Sequence, residues 1–465
     1  MAYNNSMKIG LFSDSYHPST NGIVVVIDVL YENLTKLGHE VVVVAPRPGL
    51  RAKKSLKLPG KKVLWIPAIE GLFFDDYLTS VFSPTRAVKK IEAENLDAVI
   101  IFTPAQVGLL GAYVAKKNGI PLIEQYSTDL AGYINKYPST IVGMFALSLS
   151  APFALKLKLK DIAYISRAIL KFKKGQDQSW SSSTVTKILT VMHNNTDFVI
   201  ALSEKLYRQM KKEGVSAKMK VIPTGVNALP ADQKKSEIFR NKHGIGKEDK
   251  VILYAGRLGQ EKNLDLLLES FVAIAPRSSK YKLVFVGDFK YRPVLERKAE
   301  LSGYSDQIIF AGRLPRDQLG YAYGAADIFA FPSLTDTQGL VLNEAAHAGL
   351  PIVWCDAQVN GVVKDKINGV LAKDNNLSFS ESLLKLLNND SLRKKYGKMP
   401  LNEFKNELDR IEKMEEFLTA TTLREDYSIG VQDGCFEINY SAYCIECGFE
   451  YYFKFNKDNI LNNES

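Results

Sequence analysis

The chain alternates two hydrophobic patterns. Short unbroken apolar runs occur at residues 8–13, 40–46, 98–102, 120–123 and 198–202. Runs without polar alternation fit strands covered on both faces, as in a parallel sheet. Between them lie stretches of helical periodicity, clearest from Ile23 to Leu37, where Gly38-His39 marks a stop. A hydrophilic stretch at 231–250 interrupts the pattern. It then resumes with apolar runs at 251–256, 282–287, 307–310, 327–331 and 351–354. The pattern predicts an α/β protein with two doubly wound, Rossmann-like domains, residues 7–225 and 250–400. The C-terminal strand ends of both sheets are expected to face a central cleft, where open α/β sheets bind ligands. Beyond this lie a charged helical stretch at 401–422 and an aromatic, strand-like extension at 423–465.

Composition adds limits. A length of 465 residues allows two or three domains at about 150 residues each. The fractions of 46% hydrophobic and 24% charged residues exclude a mostly disordered or fibrous chain. The net charge of +9 suggests an anionic partner. Nucleic acid is not expected, because no aromatic stacking platform or reading-head motif is present. The four cysteines, Cys355, Cys435, Cys444 and Cys447, do not form a secreted disulfide framework. A reducing compartment fits them best. The N-terminus carries no cationic and apolar secretory pattern, so a cytoplasmic location is expected. Cys444-Ile445-Glu446-Cys447 could hold zinc with two further ligands, but only Cys435 is near and no His follows. Thiols in a short hairpin are the preferred reading.

Three segments carry candidate chemistry. Residues 331–351 read strand, loop, helix, turn, strand, with Asp336 in the loop and a helix starting near Gly339. The free N–H groups of that helix start suit an anion. Glu344, about a turn inside, can accept hydrogen bonds from sugar hydroxyls. The bland alternative is a helix with an acidic first turn. Residues 254–263 place Arg257 and Lys262 after a strand. Arg as a fork and Lys as a point charge suit a diphosphate, although two solvated surface cations would look the same alone. Residues 13–23 feed a first strand through a polar loop to Gly22 at a helix start, where backbone can approach a phosphate. There is no Gly-x-Gly-x-x-Gly, no phosphate-binding Gly-Lys-Ser/Thr loop and no His-Glu-x-x-His. An Asp-x-Asp pair is also missing, so no metal and no cofactor are expected.

These three segments resemble the retaining glycosyltransferases of family 4, which have the GT-B fold, and look most like bacterial diacylglycerol glucosyltransferases. The resemblance covers roughly residues 7–400, and Asp336 and Glu344 match the family's acidic-x7-Glu motif. It implies that Arg257 and Lys262 neutralise a nucleotide diphosphate, that Glu344 holds the ribose, and that Asp336 approaches the donor sugar. Backbone N–H groups at Gly339, Leu340 and Val341 would cradle the distal phosphate, and Gly22 and Gly256 would approach the diphosphate. The stretch 310–314, with Gly312, would frame the base. The expected donor is UDP-glucose, with UDP-galactose close behind. In the resemblance the first domain binds the acceptor, and the helix at 401–422 crosses back to that domain. Candidates on the acceptor side are Asp14, Tyr126, Ser127 and Asp129. Two departures stand out. The first acid is Asp336 rather than Glu, and the family's Tyr-His-Thr segment reads Tyr126-Ser127-Thr128 here. Its His-Thr-Pro element likewise reads Phe102-Thr103-Pro104.

The positive charge is concentrated in two places. Residues 47–62 hold seven cations and no acid; residues 152–174 hold seven cations against Asp161, mixed with large apolar residues. Such mixtures suit an anionic membrane surface. Residues 137–155 are uncharged over nineteen positions, near a spanning length, but Pro138 and Pro152 favour an interfacial or re-entrant hairpin. The alternative is an amphipathic core helix with a solvated basic face. The combined expectation is a transferase acting on a membrane lipid from the inner face of the cell membrane. Rivals are a transferase of cell-surface polysaccharide or lipid-linked oligosaccharide synthesis, a nucleotide-sugar-binding protein of weak catalysis, and a sugar-nucleotide epimerase.

Overall fold

The computed structural model describes residues 6–19, 21–48, 60–70, 78–79, 85–127, 151–170, 178–224, 226, 229, 232–359, 361–397, 429–432, 435–444 and 449–455. The chain divides into two compact units, Met1–Met414 and Glu415–Ser465. The first unit contains two parallel sheets. Its first strands are β1 (Lys8–Phe12), β2 (Glu40–Pro46) and β3 (Val63–Ile66), followed by a small antiparallel ribbon of β4 (Ile69–Glu70) and β5 (Leu78–Thr79). Then come β6 (Ala98–Ile101), β7 (Leu122–Tyr126), β8 (Phe198–Ala201) and β9 (Lys218–Val221). The seven-stranded sheet has the order β3-β2-β1-β6-β7-β8-β9. Its register pairs Leu11 with Val43 on one side and with Ile100 on the other.

The second sheet is built from β10 (Lys250–Ala255), β11 (Tyr281–Val286), β12 (Ile308–Gly312), β13 (Ile328–Phe331), β14 (Ile352–Trp354) and β15 (Gly369–Leu371). Its order is β12-β11-β10-β13-β14-β15, again parallel. In each sheet the strand order reverses about its first strand. β1 lies between β2 and β6, and β10 between β11 and β13. Each reversal opens a crevice at the C-terminal strand ends.

Burial accounts for the unbroken apolar runs. Val41 to Ala45 of β2 and Val251 to Ala255 of β10 are all buried, since helices cover both faces of each sheet. One strand lies later than its apolar run suggests. β7 is Leu122–Tyr126 rather than 120–123, because its ladder continues through buried Glu124 and Gln125 to Tyr126.

The helices that matter for the site begin with α1 (Gly22–Lys36), whose Val24 N–H is capped by the Asn21 side chain at 3.2 Å. They continue with α2 (Thr85–Glu92), α3 (Gln106–Asn118), α4 (Leu159–Leu170), α5 (Gln178–Asn194) and α6 (Glu204–Lys212). In the second domain lie α7 (Gln233–Lys242), α8 (Leu264–Ile274), α9 (Arg292–Leu301), α10 (Arg316–Gly324) and α11 (Leu340–His347).

The unit Glu415–Ser465 contains an antiparallel sheet of β16 (Ile429–Gln432), β17 (Cys435–Cys444) and β18 (Phe449–Phe455), in that order. Cys435 and Cys444 are the two ends of β17. Cys447, the helix expected at 401–422 and most of residues 47–62 and 137–155 lie outside the described residues.

Candidate active site

The second-domain crevice is lined by the turn after β10 and the loop after β13. The first turn is tight. A Cβ on Gly287 would sit 1.8 Å from the Gly256 carbonyl oxygen, so only glycine lets the ends of β10 and β11 approach this closely. Beyond Gly256, Arg257 donates from Nη2 to Glu261 Oε1 at 2.7 Å, and its guanidinium lies over the Phe289 ring at 4.8 Å. Lys262 ends a single 3-10 turn, and its Nζ donates to Asp336 Oδ1 at 2.7 Å. The Thr335 hydroxyl donates to the Glu261 carbonyl, which ties the two loops together. Gly312 closes β12, and its carbonyl accepts the Gly287 N–H at 2.9 Å.

Burial by itself would raise the Asp336 carboxyl. The Lys262 charge and hydrogen bond, with help from the Ser333 hydroxyl and Arg257, outweigh it and hold the group below its ordinary value. Asp336 is therefore a carboxylate at neutral pH. The fully buried Ser333 hydroxyl stands beside the same carboxylate.

The loop from β13 enters α11 through Gly339 in the left-handed region, φ 67°. A Cβ there would meet Leu342 and Phe331 at a tight 3.2 Å, and the positive φ favours glycine. No side chain caps α11 at this position, and Leu340 and Val341 form its first turn. Glu344 follows, buried at 6% exposure. Its Oε1 accepts from Arg316 Nη1 at 2.9 Å, and its Oε2 accepts from the Tyr323 hydroxyl at 2.9 Å. Arg316 and Tyr323 both come from α10, and no motif in the sequence points to them. The cations of this crevice thus stand beside carboxylates: Arg257 with Glu261, Lys262 with Asp336, Arg316 with Glu344. Among the described residues no group of three or more His, Cys, Asp or Glu side chains could hold a metal ion.

The first-domain candidates are placed differently. Asp14, just past β1, is buried at 4% exposure. Its carboxylate accepts from the Thr103 hydroxyl at 2.6 Å, from Val107 N–H at 2.8 Å and from Gly108 N–H at 3.3 Å. Ala105 at the start of α3 has no side-chain cap to offer, and Asp14 supplies one from another strand. Burial pushes the Asp14 carboxyl up to about 6, against the pull of those three donors. Tyr126 is buried in the core, edge-on to His193 with centroids 4.8 Å apart. Gly22 opens α1, and a Cβ there would reach Leu340 Cδ1 of the other domain at 3.5 Å, an ordinary contact. Asp129 lies outside the described residues.

Ser127 meets the second domain directly. Its carbonyl accepts from the Thr337 hydroxyl at 3.0 Å. Three further first-domain groups reach the same loop. The Ser203 hydroxyl donates to the Thr337 carbonyl at 2.6 Å. Lys205 Nζ donates to the Leu334 carbonyl at 2.7 Å and also pairs with Asp356. Thr224 N–H donates to Gln338 Oε1 at 2.8 Å, and Gln338 Nε2 donates back to the Thr224 carbonyl at 2.6 Å. Sequence reasoning assigned no role to Thr337, Gln338, Ser203, Lys205 or Thr224. Their pairing is purely tertiary.

The basic segment is partly core and partly surface. Leu155, Leu157 and Ile165 are buried against the first domain. Phe153 and Leu159 stand 79% and 85% exposed among exposed Lys156, Lys158, Lys160 and Arg167. Among the described residues no helix is long and apolar enough to cross a membrane.

Comparison with known proteins matches this architecture. Residues 20–228 fit the profile "Glycosyltransferase Family 4", and residues 235–399 fit "Glycosyl transferases group 1". The chain is 28% identical over 379 residues to an alpha-monoglucosyldiacylglycerol synthase of Acholeplasma laidlawii, covering 79% of this chain and 85% of that one. It is 26% identical to the protein of the same name from Streptococcus pneumoniae, over 78% of this chain and 75% of that one. The crystal structure of Anabaena Alr3699/HepE in complex with UDP superposes with a TM-score of 0.64 at 17% identity, over 89% of this chain and all of that one. Together the two profiles span both parallel sheets apart from β1, and the chain belongs to the family 4 glycosyltransferases with the GT-B fold.

Proposed function

We propose that this protein transfers a hexose with retention of configuration, glucose from UDP-glucose in the first instance, to a membrane lipid acceptor, diacylglycerol. The observation that carries the reading is the crevice of the second domain. There Lys262, Asp336, Arg257 and Glu344 gather around the start of α11. The likeness to two monoglucosyldiacylglycerol synthases supports the sugar and the acceptor. The exposed Phe153 and Leu159 among lysines support docking on an anionic membrane from its inner face.

In this reading Glu344 exchanges Arg316 and Tyr323 for the ribose hydroxyls, and Asp336 accepts from a hydroxyl of the donor sugar. Arg257, Lys262 and the backbone at Gly339, Leu340 and Val341 stabilise the diphosphate as it leaves. Gly22 and Gly256 let backbone close on the diphosphate, and Gly312 borders the base. The bond from the anomeric carbon to the phosphate oxygen breaks as the acceptor oxygen bonds on the same face. The acceptor proton passes to the departing phosphate. Ser127 borders the acceptor. Asp14 and Tyr126 support that side from the core.

The test is UDP release from UDP-glucose with vesicles of anionic lipid, with and without diacylglycerol, beside the Glu344→Ala variant. Release that needs diacylglycerol, and falls about 100-fold or more in the variant, is the expected result. Binding of UDP-glucose with no release under either condition would overturn this substrate pair.

A further inference from the structure

The loop that carries Asp336 is fastened to the first domain at every step from 334 to 338 except Thr335 and Asp336 themselves. Its holders sit after three successive strands of the first sheet: Ser127 after β7, Ser203 and Lys205 after β8, Thr224 after β9. One of these fastenings is a two-bond pairing made by the Gln338 amide. It pairs with both backbone groups of Thr224, in the segment that joins the two domains, and both residues are nearly fully buried. At neutral pH an amide side chain offers one acceptor and one donor in this side-by-side arrangement, which an ionised carboxylate does not. Asn has the same groups on a shorter stem.

We propose that Gln338 is a positioning residue that ties the placement of Asp336 to closure of the two domains. The inference rests on the reading of Asp336 as the group facing the donor sugar. When the domains close, Gln338 docks on Thr224 and Thr337 on Ser127. The intervening carboxylate, held from the other side by Lys262, is then fixed in one place. When they open, both fastenings are lost and Asp336 keeps only its second-domain contacts. Donor binding through Arg257, Lys262 and Glu344 does not need the clasp, whereas transfer does.

The experiment compares wild type with Gln338→Leu, Gln338→Glu and Thr337→Val. It measures kcat on UDP-glucose with diacylglycerol vesicles, the Kd for UDP and the melting temperature. In Gln338→Leu, kcat should fall on the order of 10-fold to 100-fold, as expected for a misplaced reacting group, with UDP affinity within about threefold of wild type. Thr337→Val should show a smaller fall of the same kind. Gln338→Glu accepts from Thr224 N–H but donates to its carbonyl only when protonated, so its kcat relative to wild type should recover as pH falls. Unchanged kcat in Gln338→Leu, or parallel loss of UDP affinity and melting temperature, would overturn the proposal. Hydrogen exchange at the Thr224 amide provides a readout independent of turnover. If wild type itself does not turn over this pair, the functional reading fails. The clasp then stands or falls on whether UDP slows that exchange in wild type and not in Gln338→Leu.

Discussion

Asp14 and Asp336 are carboxyls placed just after strands beside the crevices of their two sheets. Asp14 follows β1, about which the first sheet reverses, whereas Asp336 follows β13, the neighbour of β10; each lies close to a helix start. Their electrostatic fates are opposite. Asp14 has donors but no cation, and burial raises it to about 6. Asp336 has Lys262 at 2.7 Å and stays below its ordinary value. Asp14 spends both oxygens on α3 and Thr103, whereas Asp336 gives one to the Lys262 ammonium. A place just after a strand does not decide what a carboxylate does. A neighbouring cation separates a group that can meet a ligand from one that builds the domain.

The sharpest way to break this contrast is to remove the cation. Lys262→Met should lower kcat on UDP-glucose by about 100-fold to 1,000-fold, since it takes away charge stabilisation of the leaving group. It should also leave Asp336 governed by burial. The acid limb of the pH profile, set by protonation of Asp336, then moves to higher pH than in wild type.

Asp14 responds in stability rather than turnover. Asp14→Ala strips the cap from α3 and should cost about 1–3 kcal/mol in denaturant unfolding. The Asp14 carboxyl lies above its ordinary value of 3.8, so the folded state binds this proton more tightly than the unfolded chain. Its contribution is complete below about pH 4 and is lost as pH rises through about 6. The stability gap between wild type and Asp14→Asn should therefore narrow over that window. The smallest effect is expected at the membrane face. Lys158→Ala and Lys160→Ala should each weaken sedimentation with anionic vesicles by about 1 kcal/mol, and raised salt should abolish the difference.

Much of the fold was legible because burial on both faces writes itself as unbroken apolar runs, as in Val41 to Ala45. The strands that escaped are at or near sheet edges. β3 and β15 are short, and β9 alternates Lys218 and Lys220 with Met219 and Val221, so none reads as a buried run. At the site, the spacing of Asp336 and Glu344 on a strand-loop-helix unit was visible, as were Arg257 and Lys262. Their partners were not. Arg316, Tyr323, Ser203 and Thr224 come from separate elements and meet the loop only through tertiary structure. The sequence also offered Asp14 and Tyr126 as polar candidates after strands, without showing that one would cap α3 and the other pack on His193.

The most direct test of the contrast is calorimetric titration of UDP-glucose into wild type, Lys262→Met and Asp14→Asn. The account predicts that Asp14→Asn binds as wild type does, and that Lys262→Met binds at least about tenfold more weakly. Equal binding by Lys262→Met, or a comparable loss in Asp14→Asn, would contradict it.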